Sequence, residues 1–199
     1  MQIRTDDRVL VVAMTGAGKT TMVKTRLLPA YPRLVFWDPS GMNGDWPHFV
    51  VVRNSPQLAQ ALVQGHTQIL YQPLPLSGRE DFNKVCQIVY NAGNIDLYVD
   101  ECMSISDKSR IEDWHREILT SGRKRGVGII NGSQRPMFIS SFIITEAEHY
   151  FIGRLQAKAD IEKISYLLPD GYEEVIKTLP YYHFIYRNNR TGETVMIKP

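Results

Sequence analysis

Short apolar runs recur along the chain, separated by stretches whose apolar residues fall three or four positions apart. Val9–Ala13 reads as a buried strand and Lys19–Leu28 as the helix that follows, stopped before Pro29. Arg33–Trp37 is a second strand ending at the turn Asp38-Pro39-Ser40-Gly41, and Phe49–Val52 is a short third. Pro56–Gln64 is predicted helical and closed by Gly65, Gln68–Tyr71 extended, and Pro73-Leu74-Pro75-Leu76-Ser77-Gly78 a loop. Arg79–Tyr90 carries Phe82, Val85, Ile88 and Val89 at helical spacing, and Ile95–Val99 is a strand that runs into Asp100-Glu101. Ser109–Leu119 is predicted helical with Ile111, Trp114, His115 and Ile118 on one face. Gly126–Asn131 and Ala147–Arg154 are predicted strands, and Asp160–Leu168 a helix. Tyr182–Tyr186 and Thr194–Ile197 form a hairpin around Asn188-Asn189-Arg190-Thr191-Gly192. Strands alternating with helices predict an α/β fold, a mainly parallel sheet flanked by helices, with a C-terminal β-hairpin. At 199 residues, without repeats or low-complexity stretches, the chain is expected to form a single domain over 1–199.

Composition narrows this little. No apolar run approaches the length of a membrane span, and MQIRTDDRVL has no signal-peptide core, which implies an intracellular site of synthesis. Cys86 and Cys102 lack metal-type spacing and read as reduced, packed thiols. The five histidines form no ligand pattern. A net charge of +2 does not announce a nucleic-acid binder. Lys108, Arg110, Arg116, Arg123, Lys124 and Arg125 cluster, but Glu112, Asp113 and Glu117 are interleaved among them, as on a solvated helix face.

The chemistry lies at three strand ends. Ala13-Met14-Thr15-Gly16-Ala17-Gly18-Lys19-Thr20-Thr21 is a phosphate-binding loop between a strand and a helix. It departs from G-x-x-x-x-G-K-[ST] only in having Ala13 for the first glycine. Small residues let backbone N–H groups wrap the β-phosphate, Lys19 reaches the β/γ oxygens, and Thr20 ligates Mg²⁺. The strand ending in Asp100-Glu101 delivers two carboxylates to the edge of the sheet where ligands bind. Asp100 is expected in the Mg²⁺ shell and Glu101 as the base that polarises the attacking water. Gln134, in Ser133-Gln134-Arg135-Pro136, can donate to phosphate and accept from that water, or simply end a strand.

Together these motifs resemble the FtsK–HerA superfamily of P-loop ATPases, RecA-like in architecture. Within it they are most similar to the genome-packaging ATPases of tailless icosahedral viruses with an internal membrane. Met14–Thr20, Phe36-Trp37-Asp38-Pro39, Val99-Asp100-Glu101, Ser133-Gln134-Arg135-Pro136 and Tyr150–Arg154 followed by Asp160 resemble the family's motifs in the right order. The departures are Ala13 for glycine and Ser133 for threonine. The C-terminal hairpin matches nothing in the pattern.

The resemblance implies ATP and Mg²⁺ as ligands and a homo-oligomeric ring, commonly a hexamer, that pumps double-stranded DNA without reading its sequence. An arginine finger from the neighbouring subunit would complete the site; Arg123 and Arg125 are the preferred pair and Arg154 a further candidate. Docking to a capsid vertex or to inner-membrane packaging proteins follows, with work in the host cytoplasm during assembly or at the virion's packaging vertex. Ser104–Arg110 and Leu76-Ser77-Gly78-Arg79 can line a pore or be ordinary solvent loops. The alternatives are another FtsK–HerA-type DNA pump or phage-assembly ATPase and, from different classes, a small nucleotide kinase or a nucleotide-gated adaptor. A GTPase is disfavoured by the lack of an Asn-Lys-x-Asp motif.

Overall fold

Apolar side chains alternate between two cores along each central strand, so the sheet is buried on both faces. In β1 (Arg8–Val12), Leu10 and Val12 point into the larger core while Val9 and Val11 point into the smaller. The structure, a computed structural model, describes residues 3–41, 46–74 and 77–199; Pro75 and Leu76 of the predicted loop lie outside them.

The sheet comprises β1, β2 (Leu34–Trp37), β3 (Val50–Val52), β4 (Gln68–Tyr71), β5 (Asp96–Val99), β6 (Ile129–Ser133), β7 (His149–Ile152), β8 (Phe184–Asn188) and β9 (Thr194–Ile197). Among the described residues the order is β3-β4-β2-β5-β6-β1-β7-β8-β9. All pairings from β3 to β7 are parallel; β7–β8 and β8–β9 are antiparallel. The expected parallel sheet is therefore observed, and the C-terminal hairpin extends it through β7. Its most consequential feature is β6, which sits between β1 and β5 and pairs with both.

One face carries α2 (Ser55–Val63), α3 (Gly78–Ala92), α4 (Asp113–Ser121), α5 (Ser141–Glu146), α6 (Lys158–Ser165) and α7 (Tyr172–Thr178), which pack on the sheet to close the larger core. The other is covered by α1 (Lys19–Met22), the π-helical turn Val23–Leu27 that continues it, and the short helical turn Leu28–Ala30 ahead of Tyr31. Helix boundaries follow local capping. Asn54 accepts from the Gln57 N–H at 3.0 Å and starts α2 one residue before the predicted Pro56.

The predicted helix over 109–119 begins only at Asp113. Asp107 Oδ1 accepts from the Ser109 N–H and hydroxyl and from the Arg110 N–H, which holds those residues in a turn. Helices α5 and α7 were not expected; both are short, and α5 contains consecutive β-branched residues, Ile143-Ile144-Thr145. Cys86 and Cys102 are free and buried, and burial pushes both thiols above their ordinary range. No described helix is long and apolar enough to cross a membrane.

Candidate nucleotide site

The parallel strands end on one edge, and the phosphate loop, the acid pair and Gln134 all emerge there because β1, β6 and β5 are neighbours. The loop is pinned at both ends. Ala13 N–H donates to the Ser133 carbonyl at 3.2 Å and Met14 N–H to the Arg154 carbonyl at 2.8 Å. Ala17 N–H closes onto the Met14 carbonyl at 3.1 Å, and the Ala17 carbonyl accepts from Tyr182 N–H at 3.0 Å. Gly18 has φ +99°, and a Cβ there would stand 2.6 Å from Tyr182 Cδ1, so both backbone and space demand glycine.

Ala13, in the first glycine position, is fully buried and faces Gly153, where a Cβ would lie 2.7 Å from its own. The close approach that the motif's glycine normally permits is thus supplied from β7's end.

A continuous chain of polar contacts crosses the three strand ends. Thr15 hydroxyl donates to Gln134 Oε1, and Gln134 N–H donates to Glu101 Oε2 at 3.3 Å. Lys19 Nζ contacts Asp100 Oδ1 and lies 3.2 Å from Glu101 Oε1, and Tyr98 hydroxyl donates to Asp100 Oδ1 at 3.0 Å. Lys19 and Asp100 are buried. Burial alone would push the Lys19 ammonium down, but Asp100 and Glu101 together outweigh it and hold the amine above the ordinary lysine range. Glu101 sits in the left-handed region at φ +53°, a costly conformation for a glutamate, and its buried Oε1 has no aligned hydrogen-bond donor. Beside these groups is a cavity of about 270 Å³ lined by Met14, Thr15, Gly16, Gly18, Lys19, Thr20, Thr21, Asp100, Gln134 and Tyr182.

The expected loop residues, both acids and Gln134 are therefore brought together. The arginines are not: Arg123 and Arg125 lie near the opposite, amino edge of the sheet. Arg123 is held within its own chain by Asp7 Oδ1 at 2.8 Å, Glu148 Oε2 at 2.7 Å and Asp6 at 3.6 Å. Arg125 donates to the α3 carbonyls of Tyr90 and Asn91, at 3.3 and 2.8 Å. Arg154 follows β7 on the loop's own edge, its guanidinium 5.3 Å from the Tyr181 ring centroid.

Two residues gain roles that the sequence did not assign, Asp160, which stood among the motif residues, and Tyr98. Asp160, buried at the start of α6, accepts from Arg135 Nε at 2.7 Å and Met137 N–H at 2.9 Å, which ties the segment after Gln134 to a helix. Tyr98 was readable: two residues before Asp100 in a strand, it shares that residue's face. Of the two candidate pore segments, Arg79 and Asp107 form an ion pair that joins them, while Leu76 lies outside the described residues.

No model of a known protein family matches the chain. The DNA packaging ATPase P9 of Enterobacteria phage PRD1 is 23% identical over 206 aligned positions, spanning 96% of this chain and 86% of that protein. The genome packaging NTPase B204 of Sulfolobus turreted icosahedral virus 2, solved with ATP-gammaS, superposes at a TM-score of 0.83 with 19% identity, covering 99% of both chains. The chain has the P-loop fold of the genome-packaging NTPases. VirB4 of Thermoanaerobacter pseudethanolicus shares it at a TM-score of 0.70 with 12% identity, covering 96% of this chain and 88% of that one. The similarity therefore spans the whole chain, the C-terminal hairpin included, and agrees with the resemblance drawn from the motifs.

Proposed function

We propose that this chain is an ATPase, one domain over residues 1–199, that drives viral double-stranded DNA into a preformed capsid. The observation that carries the reading is the contact chain Thr15–Gln134–Glu101–Lys19–Asp100, which joins a phosphate loop to the proposed base Glu101 beside one cavity. Similarity to a DNA packaging ATPase and to genome packaging NTPases supports the cargo.

The donor set fits Mg·ATP. The loop amides and Lys19 match phosphate oxygens. Lys19 with Asp100 and Glu101 sets one amine beside two carboxyl side chains, a donor set that can face both phosphate oxygens and a divalent cation. Among the described residues no group of three His, Cys, Asp or Glu side chains could hold a metal by itself, so Thr20 and Asp100 would share the ion with phosphate oxygens and water. When bound, Mg²⁺ would draw charge from the β- and γ-oxygens as the terminal bond breaks.

Glu101 then takes the proton of the attacking water. Gln134, its Oε1 engaged by Thr15, keeps its amide N–H groups for the γ-phosphate. Lys19 holds the β/γ bridge in line, and Tyr98 fixes Asp100 from behind.

A ring, commonly a hexamer in the family the motifs resemble, places one subunit's amino-edge arginine at its neighbour's site. Of the pair, Arg125 suits this role, because Arg123 is bound by three carboxylates of its own chain. The linked Arg79–Asp107 segments are candidates to face DNA. Assembly in the host cytoplasm, and docking at a capsid vertex or on inner-membrane packaging proteins, belong to the same reading.

ATP turnover with and without double-stranded DNA, for the wild type and Glu101→Gln, tests it. DNA should stimulate hydrolysis, and Glu101→Gln should lose about 10²- to 10⁴-fold in turnover while still binding ATP. Stoichiometric phosphate transfer to a nucleoside monophosphate would instead establish a kinase.

A further inference from the structure

Strand order gives the cavity a direction. Asp100, Glu101 and Gln134 lie on the β5–β6 flank of the phosphate loop, so the γ end of a bound nucleotide points there. Its nucleoside must leave toward the β7–β8 flank, and the side chain that lines the cavity on that flank is Tyr182, just before β8. Resting on the nucleotide-binding reading above, we propose that Tyr182 is the platform on which the nucleobase stacks.

Three independent features place the ring there. Tyr182 N–H donates to the Ala17 carbonyl at 3.0 Å, which ties this residue of the C-terminal segment to the phosphate loop itself. One edge of its ring lies against Gly18 so closely that any Cβ would collide, yet the residue is 48% exposed and lines the cavity with Thr21. Its backbone is left-handed at φ +62°, a conformation that costs a bulky residue on the order of 1 kcal/mol and that an aspartate, asparagine or glycine would adopt more readily. Tyr181, comparably exposed, is instead engaged by the Arg154 guanidinium, so Tyr182 is the ring that the cavity presents. A half-exposed aromatic face beside a phosphate cradle suits the π-face of a base, with stacking rather than hydrogen bonding as the source of affinity.

Calorimetric titration with Mg·ATP and with inorganic tripolyphosphate, which has no base, separates the platform from the cradle. Tyr182→Phe keeps the ring and should bind ATP within about twofold of wild type. Tyr182→Leu, and Tyr182→Asn, which accepts the left-handed backbone, should weaken ATP roughly tenfold while leaving tripolyphosphate within about twofold. Retained tripolyphosphate binding also shows that the variants fold. Equal weakening of both ligands would make Tyr182 a prop for the loop, and no weakening of either would make it a bystander; each result overturns the platform alone. A wild type that binds neither ligand overturns the nucleotide reading and the platform with it.

Discussion

The methyl group of Ala13 points at Gly153, whose Cα is in turn crowded by Phe184: a Cβ built on Gly153 would lie 2.7 Å from Ala13 Cβ and 2.8 Å from Phe184 Cε1. The substitution in the motif and the glycine 140 positions later are one packing arrangement. Gly153→Ala should therefore destabilise by roughly 1–3 kcal/mol, and Ala13→Gly in that background should recover part of the loss. Urea unfolding of the four proteins checks this, and strict additivity would sink the coupling. A second residue-scale case is His115, buried in α4 with Nε2 3.1 Å from Asn131 Oδ1 in β6. Burial pushes its pKa down to about 4, against 6.5 for an ordinary histidine. Below pH 6.5 the unfolded chain takes up a proton that the folded chain refuses. Stability is thus full above that pH and falls as pH drops toward 4, by roughly 3 kcal/mol in total. His115→Gln should flatten the difference between unfolding midpoints measured across pH 4 to 7. The helical spacing puts His115 on one face with Ile111, Trp114 and Ile118, but its partner on β6 lies in no motif.

At the scale of elements, what was legible depended on whether the determining contact was local. The phosphate loop sits between an apolar strand and a helix, and the acid pair ends an apolar strand; both could be placed from neighbours in sequence. Strand β6 runs two residues beyond its predicted end because Gly132 and Ser133 pair with Val11 and Val12 of β1, a partner 121 positions away. Helix α4 starts late because of Asp107, and α7 has too few turns for its periodicity to stand out. The segment after Gln134 is the clearest long-range case: Asp160 on α6 takes both Arg135 Nε and Met137 N–H. Asp160→Asn keeps the volume and removes the charge. It should cost roughly 1–2 kcal/mol of stability. Turnover should fall about tenfold or more with ATP affinity unchanged, because Gln134 loses its anchor while the cradle stays intact. A variant with wild-type turnover would show that α6 does not position Gln134.

At the scale of the whole molecule, the two edges of the sheet divide the work. The carboxyl edge holds the phosphate cradle and its acids. The amino edge holds a charge network in which Glu148 pairs with Arg8, Arg123 and Arg190, and Asp7 pairs with Arg123 and is hydrogen-bonded to His149. The three guanidinium groups outweigh burial and hold the Glu148 carboxyl down at about 2. Arg123 therefore has a folding role, and Arg123→Ala should lower stability by roughly 1–2 kcal/mol with or without nucleotide, a modest figure because the side chain is 36% exposed. Arg125, which donates to helix-end carbonyls, should change stability by less than about 0.5 kcal/mol when replaced by alanine.

If a ring places Arg125 at the adjoining site, Arg125→Ala and Lys19→Ala subunits are each inactive alone. Mixed in equal amounts, they should regain activity at on the order of a quarter of the interfaces, those where an intact Lys19 meets an intact Arg125. Recovery with Arg123→Ala in place of Arg125→Ala would reverse the assignment. Recovery with neither would remove the amino-edge arginines from the site and leave Arg154, at the loop's own edge, to be tested in the same way.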